Sequence, residues 1–397
     1  MDTTPKQPIV YVVPDIERAL GREPGDDYFI VANRTAYAER IFAQYPEYVM
    51  LVDGDHATSE LLALAQVRTY INDRHAKVMV FIGNSIVERT AEKNGLDLIH
   101  PKAELAAQIE GKISQIEWLG DLASLMPEYT IGPLKNLSYN NQPFILQFGF
   151  SHTGEGTHLI DSASALTAFQ DKFPERLART LRYVKGTAYT VNAVVDAHGI
   201  LVGNTSLQIT GLAPYTDLPF STVGNDWAIP HILLSEQAHK EIRSMAESVG
   251  KRLLESGWRG LFGIDVIHEE HSGRIYLIEI NARQPASTTL ESQLQRRAGA
   301  TETIFDAHLR ALCDERVTQP LTEIRDGAQI VQRVTRSRTK ESIHIDTHTL
   351  EAHNLDVIRY EKDDHNSDLV RITSPRGIMS SPSEFNDLGK IITSSIS

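Results

Sequence analysis

The chain has 397 residues, 41% of them hydrophobic, and a formal net charge of −13. That length accommodates roughly two to four domains with a substantial core, and the acidic balance argues against nucleic acid or an anionic membrane surface as a general partner. No run of about 18 apolar residues occurs, no basic-then-apolar leader opens the chain, and Cys313 stands alone without an intrachain disulfide partner, so a soluble cytoplasmic protein is expected.

The first hundred residues alternate short apolar runs with helical periodicity. PIVYVV, YFIVAN, YVMLVD and KVMVFIG read as strands, and AYAERIFAQY and SELLALAQVRTYINDR read as helices. This βα pattern predicts a small parallel sheet covered by helices. No Gly-x-Gly-x-x-Gly follows any of these strands, which argues against a Rossmann cofactor domain. Leu98-Ile99-His100-Pro101 closes the unit, and KAELAAQIEGKISQIEWLGDL reads as a long helix broken near Gly111.

In QPFILQFGFSHTGEGTHLI, two strands flank a glycine-bearing turn. Gly154 and Gly156 would let backbone N–H groups approach phosphate oxygens. The turn is not a Walker A loop, since the Gly-Lys-Ser/Thr ending is missing. Nor is it a nucleophile elbow, since Thr153 stands where the second glycine would be. ARTLRYVKGTAYTVNAVVDAHGILVG reads as a strand, a turn at Gly186, and further strands.

Residues 203–230, rich in Gly, Pro, Ser, Thr and Asn, read as a long loop around one short strand. There Ser206, Gln208 and Thr210 alternate on one side and could line a substrate pocket, as could Asn225 and Asp226; a merely variable loop is the alternative. SEQAHKEIRSMAESVGKRLLESG is an amphipathic helix with Ile242, Met245, Val249, Leu253 and Leu254 on its apolar stripe, stopped by Gly257.

The stretch Gly257–Leu290 carries the chemistry. LFGIDVI and RIYLIEIN read as strands joined by HEEHSG into an antiparallel hairpin. Period two puts Glu279 and Asn281 on one face, and Asp265 of the partner strand can reach it. Two carboxylates and an amide oxygen form a hard-oxygen set suited to Mg²⁺ shared with phosphates. Ordinary solvated carboxylates are the alternative, countered by the apolar run around them, because charges are seldom buried unless paired or bound to a cation. Beyond residue 318, DGAQIVQRVTR, HIDTHTL, DVIRYE and LVRITSP read as short strands of a small β-rich subdomain. His344, Asp346 and His348 are expected on a solvated strand face, and the tail SSPSEFNDLGKIITSSIS is expected to be loosely held.

Arg259-Gly-Leu-Phe-Gly-Ile-Asp265, followed by Tyr276-Leu-Ile-Glu279-Ile-Asn281-Ala-Arg283, resembles the metal-binding signature of the ATP-grasp superfamily. The resemblance spans roughly residues 8–315 and implies an α/β (in part α+β) ATP-grasp fold. Its expected boundaries are a βα pre-ATP-grasp domain (1–110), a nucleotide-flap subdomain (111–187), a metal-bearing catalytic subdomain (188–317) and the C-terminal β-rich subdomain (318–397). It implies ATP with Mg²⁺, two ions or Mn²⁺ in their place, held by Asp265, Glu279 and Asn281. Arg283 would steady an acyl-phosphate or substrate carboxylate, with Glu279 and Asn281 beside it in the catalytic set.

For the nucleotide, the resemblance implies Lys112 on the phosphates, with an exposed helix lysine as the alternative. It implies a flap of Ser151, His152, Thr153, Gly154 and Gly156, and an adenine hinge of Tyr183, Val184 and Lys185, with an ordinary β-hairpin as the alternative. Two departures stand out. Gln147 occupies the strand end where many relatives have a phosphate-binding lysine, and Leu181 and Ala188 stand at two places where many relatives have ribose-binding glutamates. Ser287, Thr288 and Thr289 become candidate acceptor contacts, or caps of the following helix. The expected activity is ATP-dependent joining of a small carboxylic acid to an amine through an acyl-phosphate. The alternatives are a phosphotransferase, a carboxylase, or a nucleotide-binding protein with degraded catalysis. Small molecules are the expected partners, with no nucleic acid and no membrane; a homodimer is compatible.

Overall fold

The computed structural model describes residues 7–149, 156–316 and 320–397. The chain opens with strands β1 (Ile9–Val12), β2 (Tyr28–Asn33), β3 (Val49–Val52) and β4 (Lys77–Val80), all parallel in the order β3-β2-β1-β4. Helices α1 (Ala36–Gln44), α2 (Thr58–Ala63), α3 (Ala65–Asp73) and α4 (Ser85–Lys93) connect and cover them. The expected single helix over 59–74 is two helices that meet at Leu64, whose extended backbone ends the first. Val10, Val12, Val31, Val78 and Val80 fill one face of the sheet, and Tyr11, Tyr28 and Ile30 the other. Phe305, from a helix nearly 300 residues later, packs edge-on against Tyr11 and Tyr28.

Helices α5 (Ala103–Glu110) and α6 (Ser114–Leu119) form the expected broken helix, with the break at Gly111. Strands β5 (Tyr129–Pro133), β6 (Phe144–Phe148), β7 (Thr157–Ile160) and β8 (Leu177–Arg182) make an antiparallel sheet in the order β5-β8-β6-β7, backed by α7 (Ala163–Lys172).

The largest sheet begins with β9 (Gly186–Val195), β10 (Ile200–Thr210) and β11 (Thr222–Asp226). After α8 (Pro230–Leu233) and α9 (Glu236–Glu255), the hairpin β12 (Gly260–Glu269) and β13 (Ile275–Asn281) joins it. Helix α9 lays Ile242, Met245, Val249 and Leu253 on this sheet, as its periodicity requires. The long loop expected over 203–230 is corrected: residues 203–210 complete an eleven-residue strand and 222–226 form another, leaving a loop only between them. Helices α10 (Thr288–Arg297) and α11 (Ile304–Leu312) then lead into β14 (Ala328–Arg333), α12 (Thr347–Ala352), β15 (Asp356–Arg359) and β16 (Asp368–Ser374).

The C-terminal β-rich region is present, and its strands are hydrogen-bonded onto the same sheet, ordered β13-β12-β9-β10-β11-β14-β16-β15. HIDTHTL is not a strand. Asp346 caps α12, its carboxylate accepting the Thr349 N–H at 3.0 Å, so the alternation of His344, Asp346 and His348 has no strand to act on. The tail is also not loose. A short hairpin, β17 (Met379–Ser381) and β18 (Glu384–Phe385), leads into α13 (Asp387–Ser394), which buries Leu388, Ile392 and the following Ile396 in the main core. Among the described residues, no helix is long and apolar enough to cross a membrane.

Candidate active site

A cleft of about 740 Å³ lies between the β5–β8 sheet and the β9–β16 sheet. Its floor is built by strand register. Asp265 on β12 pairs directly with Glu279 on β13 and with Thr190 on β9, so the three side chains form a row across the sheet. Asn281, two residues beyond Glu279, pairs with Gly263 and shares that face. A bulge follows between Asp265 and Val266, next to the two carboxylates. Two like charges directly opposite on neighbouring strands repel, an arrangement kept only where cations compensate it.

Those cations are present. Lys112, only 3% exposed at the break between α5 and α6, places Nζ 2.5 Å from Glu279 Oε1. Arg283 lines the same floor and pairs with Glu110 of α5. Burial opposes ionisation of Glu279, but Lys112, Arg283 and Arg179 outweigh it and hold its pKa below the ordinary value. Asp265 goes the other way: burial and then the Glu279 charge raise its pKa, against hydrogen bonds from Thr190 (2.7 Å), Asn281 (3.2 Å) and Gln208. Asn281 donates its amide N–H to Asp265, which leaves its carbonyl oxygen available on the cleft floor. Among the described residues no group of three or more His, Cys, Asp or Glu converges on one point, so a cation here would rest on two carboxylates and an amide oxygen.

Residues 109–287 match the family model of the ATP-grasp domain. They are an ATP-grasp domain. No reviewed protein matches the chain by sequence. In fold, the chain is similar to N5-carboxyaminoimidazole synthase from Aspergillus clavatus, solved with ADP and an aminoimidazole ribonucleotide. The TM-score is 0.63 at 15% identity over 93% of this chain and 94% of that one. N5-carboxyaminoimidazole ribonucleotide synthetase from Thermotoga maritima gives 0.61 at 14% identity, over 98% and 97%. The biotin carboxylase domain of Hydrogenobacter thermophilus 2-oxoglutarate carboxylase, solved with MgADP, ADP and bicarbonate, gives 0.62 at 14% identity, over 92% and 86%.

Around the cleft of the ATP-grasp domain, the structure brings together Lys112, Gln147, Tyr183, Val184, Lys185, Gln208, Asp265, Glu279, Asn281, Arg283 and Ser287. Ser151, His152, Thr153 and Gly154 lie outside the described residues; Gly156 is buried, and its carbonyl accepts the Phe148 N–H at 3.3 Å. Tyr183, Val184 and Lys185 line the cleft, and the Lys185 carbonyl takes the Glu270 N–H at 3.0 Å. Gly186 is required there: a Cβ would lie 2.2 Å from the His268 carbonyl oxygen.

Several substrate expectations are corrected. Ser206 is buried beneath the cleft, bonded to Asn225 at 3.1 Å and to the Thr190 carbonyl at 3.5 Å. Asn225 does reach the cleft wall, but Asp226 is a structural carboxylate that accepts the N–H groups of Ala228, Ile229, Ile378 and Met379. Thr288 is fully buried in α10, and Thr289 ties that helix to the Glu17 carbonyl at 3.0 Å; neither lines the cleft.

Residues that the sequence reading passed over include Thr190, Arg179, Arg333 and Arg371. Arg371 stands in the otherwise apolar run LVRITS, so the buried-charge argument applied to Glu279 would have found it. Arg333 and Arg371 line the far wall of the cleft, both held on Asp368. Nothing in spacing marks Arg179 or Thr190, whose roles come from register between strands distant in sequence.

Proposed function

We propose that this chain is an ATP-dependent ligase that activates a small carboxylate as an acyl-phosphate and transfers it to an amine, releasing ADP and phosphate. The observation that carries this reading is the cross-strand pair Asp265–Glu279 facing Lys112 and Arg283 in one cleft. The donor set fits Mg²⁺, with Mn²⁺ as the alternative, because two carboxylates and the free Asn281 oxygen leave positions for phosphate oxygens and water. When bound, the metal ions neutralise charge on the ATP phosphates.

The remaining steps belong to this chain's own groups. Lys112 exchanges its Glu279 partner for a phosphate oxygen, and Arg283 exchanges Glu110 for the acyl-phosphate, which its planar fork grips through two parallel bonds. The backbone at Tyr183–Lys185 holds the adenine, while Gln208 and Ser287 face the reacting carboxylate. Phosphoryl transfer of this kind relies on positioning and charge stabilisation, so no Ser, Cys or His nucleophile is called for. The far wall favours an acceptor with an acidic group, since the side chains of Arg333 and Arg371 line it while their partner Asp368 lies behind it.

A second reading takes bicarbonate as the carboxylate, favoured by a fold likeness to carboxyaminoimidazole synthases and a biotin carboxylase domain that extends over 92–98% of this chain. ADP release with Mg²⁺–ATP, against panels of carboxylic acids and amines with and without bicarbonate, separates the two. Turnover that needs an organic acid and an amine supports the ligase; turnover that needs bicarbonate supports the carboxylase. In either case Glu279→Gln is expected to lower turnover by at least about a hundredfold; full activity in that variant would sink both.

A further inference from the structure

Arg179 lies on β8 with no exposed surface. Its Nε and Nη2 both donate to Gln147 Oε1, at 3.2 and 2.7 Å, and Nη1 donates to Gln115 Oε1 at 3.1 Å. The Met126 sulfur lies 4.0 Å from Nη1. Every oxygen to which this guanidinium donates belongs to a neutral amide, and among the described residues no carboxylate stands within ion-pair distance. The carboxylate whose field reaches it is Glu279, which Lys112 already occupies. Burial lowers the Arg179 pKa only to about 10, so the group stays charged at neutral pH. A buried cation that meets only neutral groups is costly to keep unless an anion compensates it.

The place for that anion is adjacent. Gln147 is the penultimate residue of β6, and it lines the cleft with Thr157 and Lys112. An arginine has donors only, so the side of the amide that it grips twice is the oxygen. The NH₂ group is thereby turned away from Arg179. One N–H goes to Thr157 Oγ1 at 3.2 Å, and the other is left for the cleft.

We infer that Arg179 and Gln147 work as one phosphate-recognition unit, in which the buried guanidinium polarises the amide and fixes its free N–H toward the phosphates of the nucleotide. The inference rests on the nucleotide reading above. Gln147 is the group that touches the ligand, and Arg179 is a positioning residue that supplies the charge from behind.

Calorimetric titration of ATP with Mg²⁺, and of adenosine, into the full chain tests this. Wild type comes first: if it does not bind ATP, the nucleotide reading itself falls. If it binds, Arg179→Met is expected to weaken ATP about tenfold while leaving adenosine unchanged, because the phosphate-facing Gln147 N–H loses its polarisation and its fixed orientation. Gln147→Lys alone sets two cations side by side and is expected not to tighten ATP. The double variant Arg179→Met/Gln147→Lys carries one cation in the cleft and is expected to return to within about twofold of wild type. The inference is overturned if Arg179→Met binds ATP like wild type, or loses ATP and adenosine equally. It is also overturned if Gln147→Lys alone tightens ATP while the double variant stays weak. Should Arg179→Met not fold, Gln147→Met, which removes only the amide, carries the same ATP-selective expectation, and unchanged ATP binding there defeats the idea.

Discussion

Behind the floor of the cleft, Glu291 on α10 has no exposed surface, and it links two strands to the Ser287 turn. It accepts the Asn204 N–H at 2.7 Å and the Asn192 amide at 2.6 Å, and Asn192 in turn donates to Ser287 Oγ at 2.9 Å on the cleft wall. Burial raises its pKa to about 7, against those hydrogen bonds. A carboxyl whose folded pKa lies above its unfolded one favours the native state below about pH 4.5, and that advantage is lost as pH rises through 7. The span corresponds to at most about 3 kcal/mol. Glu291→Gln keeps the shape and removes the titration, so its stability relative to wild type is expected to improve between pH 5 and pH 8. Urea denaturation at the two pH values measures this; parallel curves would remove Glu291 from the pH dependence.

At the scale of elements, the join between β9 and β12 sets the Tyr183–Lys185 turn, the proposed adenine hinge. Gly186 pairs with Glu269, and a Cβ there would press 2.2 Å from a backbone carbonyl that cannot swing away. Gly186→Ala is expected to splay the two strands beside Tyr183–Lys185, costing roughly 1–3 kcal/mol. It should raise the KM for ATP more than it lowers kcat at saturation; thermal melts and ATP titrations of turnover check both parts. The β12–β13 hairpin was legible in the sequence because its apolar alternation is local and its turn carries Ser-Gly. The parallel sheet was legible because each strand is buried on both faces and reads as a continuous apolar run. β10 was legible only in part, because its polar cleft-facing residues and the Gly203-Asn204 pair beside Glu291 give its middle a loop's composition, although Val202, Leu207 and Ile209 enter the core. Gly203 is there because a Cβ would lie 2.5 Å from Glu291 Oε1, a constraint set 88 residues away. The fate of HIDTHTL turned on Asp346 acting as a helix cap, and that of the tail on burial against a distant sheet; neither leaves a local period.

Across the whole molecule, the N-terminal sheet is fastened to the C-terminal strands by a buried charge network. Asp368 on β16 receives Arg18 from the turn after β1 at 3.2 Å, Arg371 at 2.8 Å, and Arg333 of β14. Tyr360 bridges Glu17 at 2.6 Å and Arg371 at 3.0 Å. Gln284, next to Arg283, donates to the Arg18 carbonyl and accepts from Tyr11, so the turn that carries Arg283 is held by the same junction. Burial opposes the Asp368 charge, but Arg333, Arg371, Arg18 and Lys362 outweigh it and hold its pKa far below the carboxylate range. Its contribution is therefore present above about pH 4 and lost only as pH falls below that. Asp368→Asn would leave three guanidinia facing one another without their shared anion. A loss of about 3–5 kcal/mol is expected, little changed by added salt because the cluster is screened by protein rather than by solvent. The exposed pair Lys135–Glu175 provides the contrast, and Glu175→Gln should change stability by less than about 1 kcal/mol. Arg333 and Arg371 also line the cleft, so any Asp368→Asn protein that folds should show an altered KM for the acceptor with the KM for ATP preserved. Denaturation at low and high salt, together with the two KM values, tests whether one cluster both joins the N-terminal sheet to the C-terminal strands and shapes the proposed acceptor wall; equal shifts in both KM values would confine it to a purely structural role.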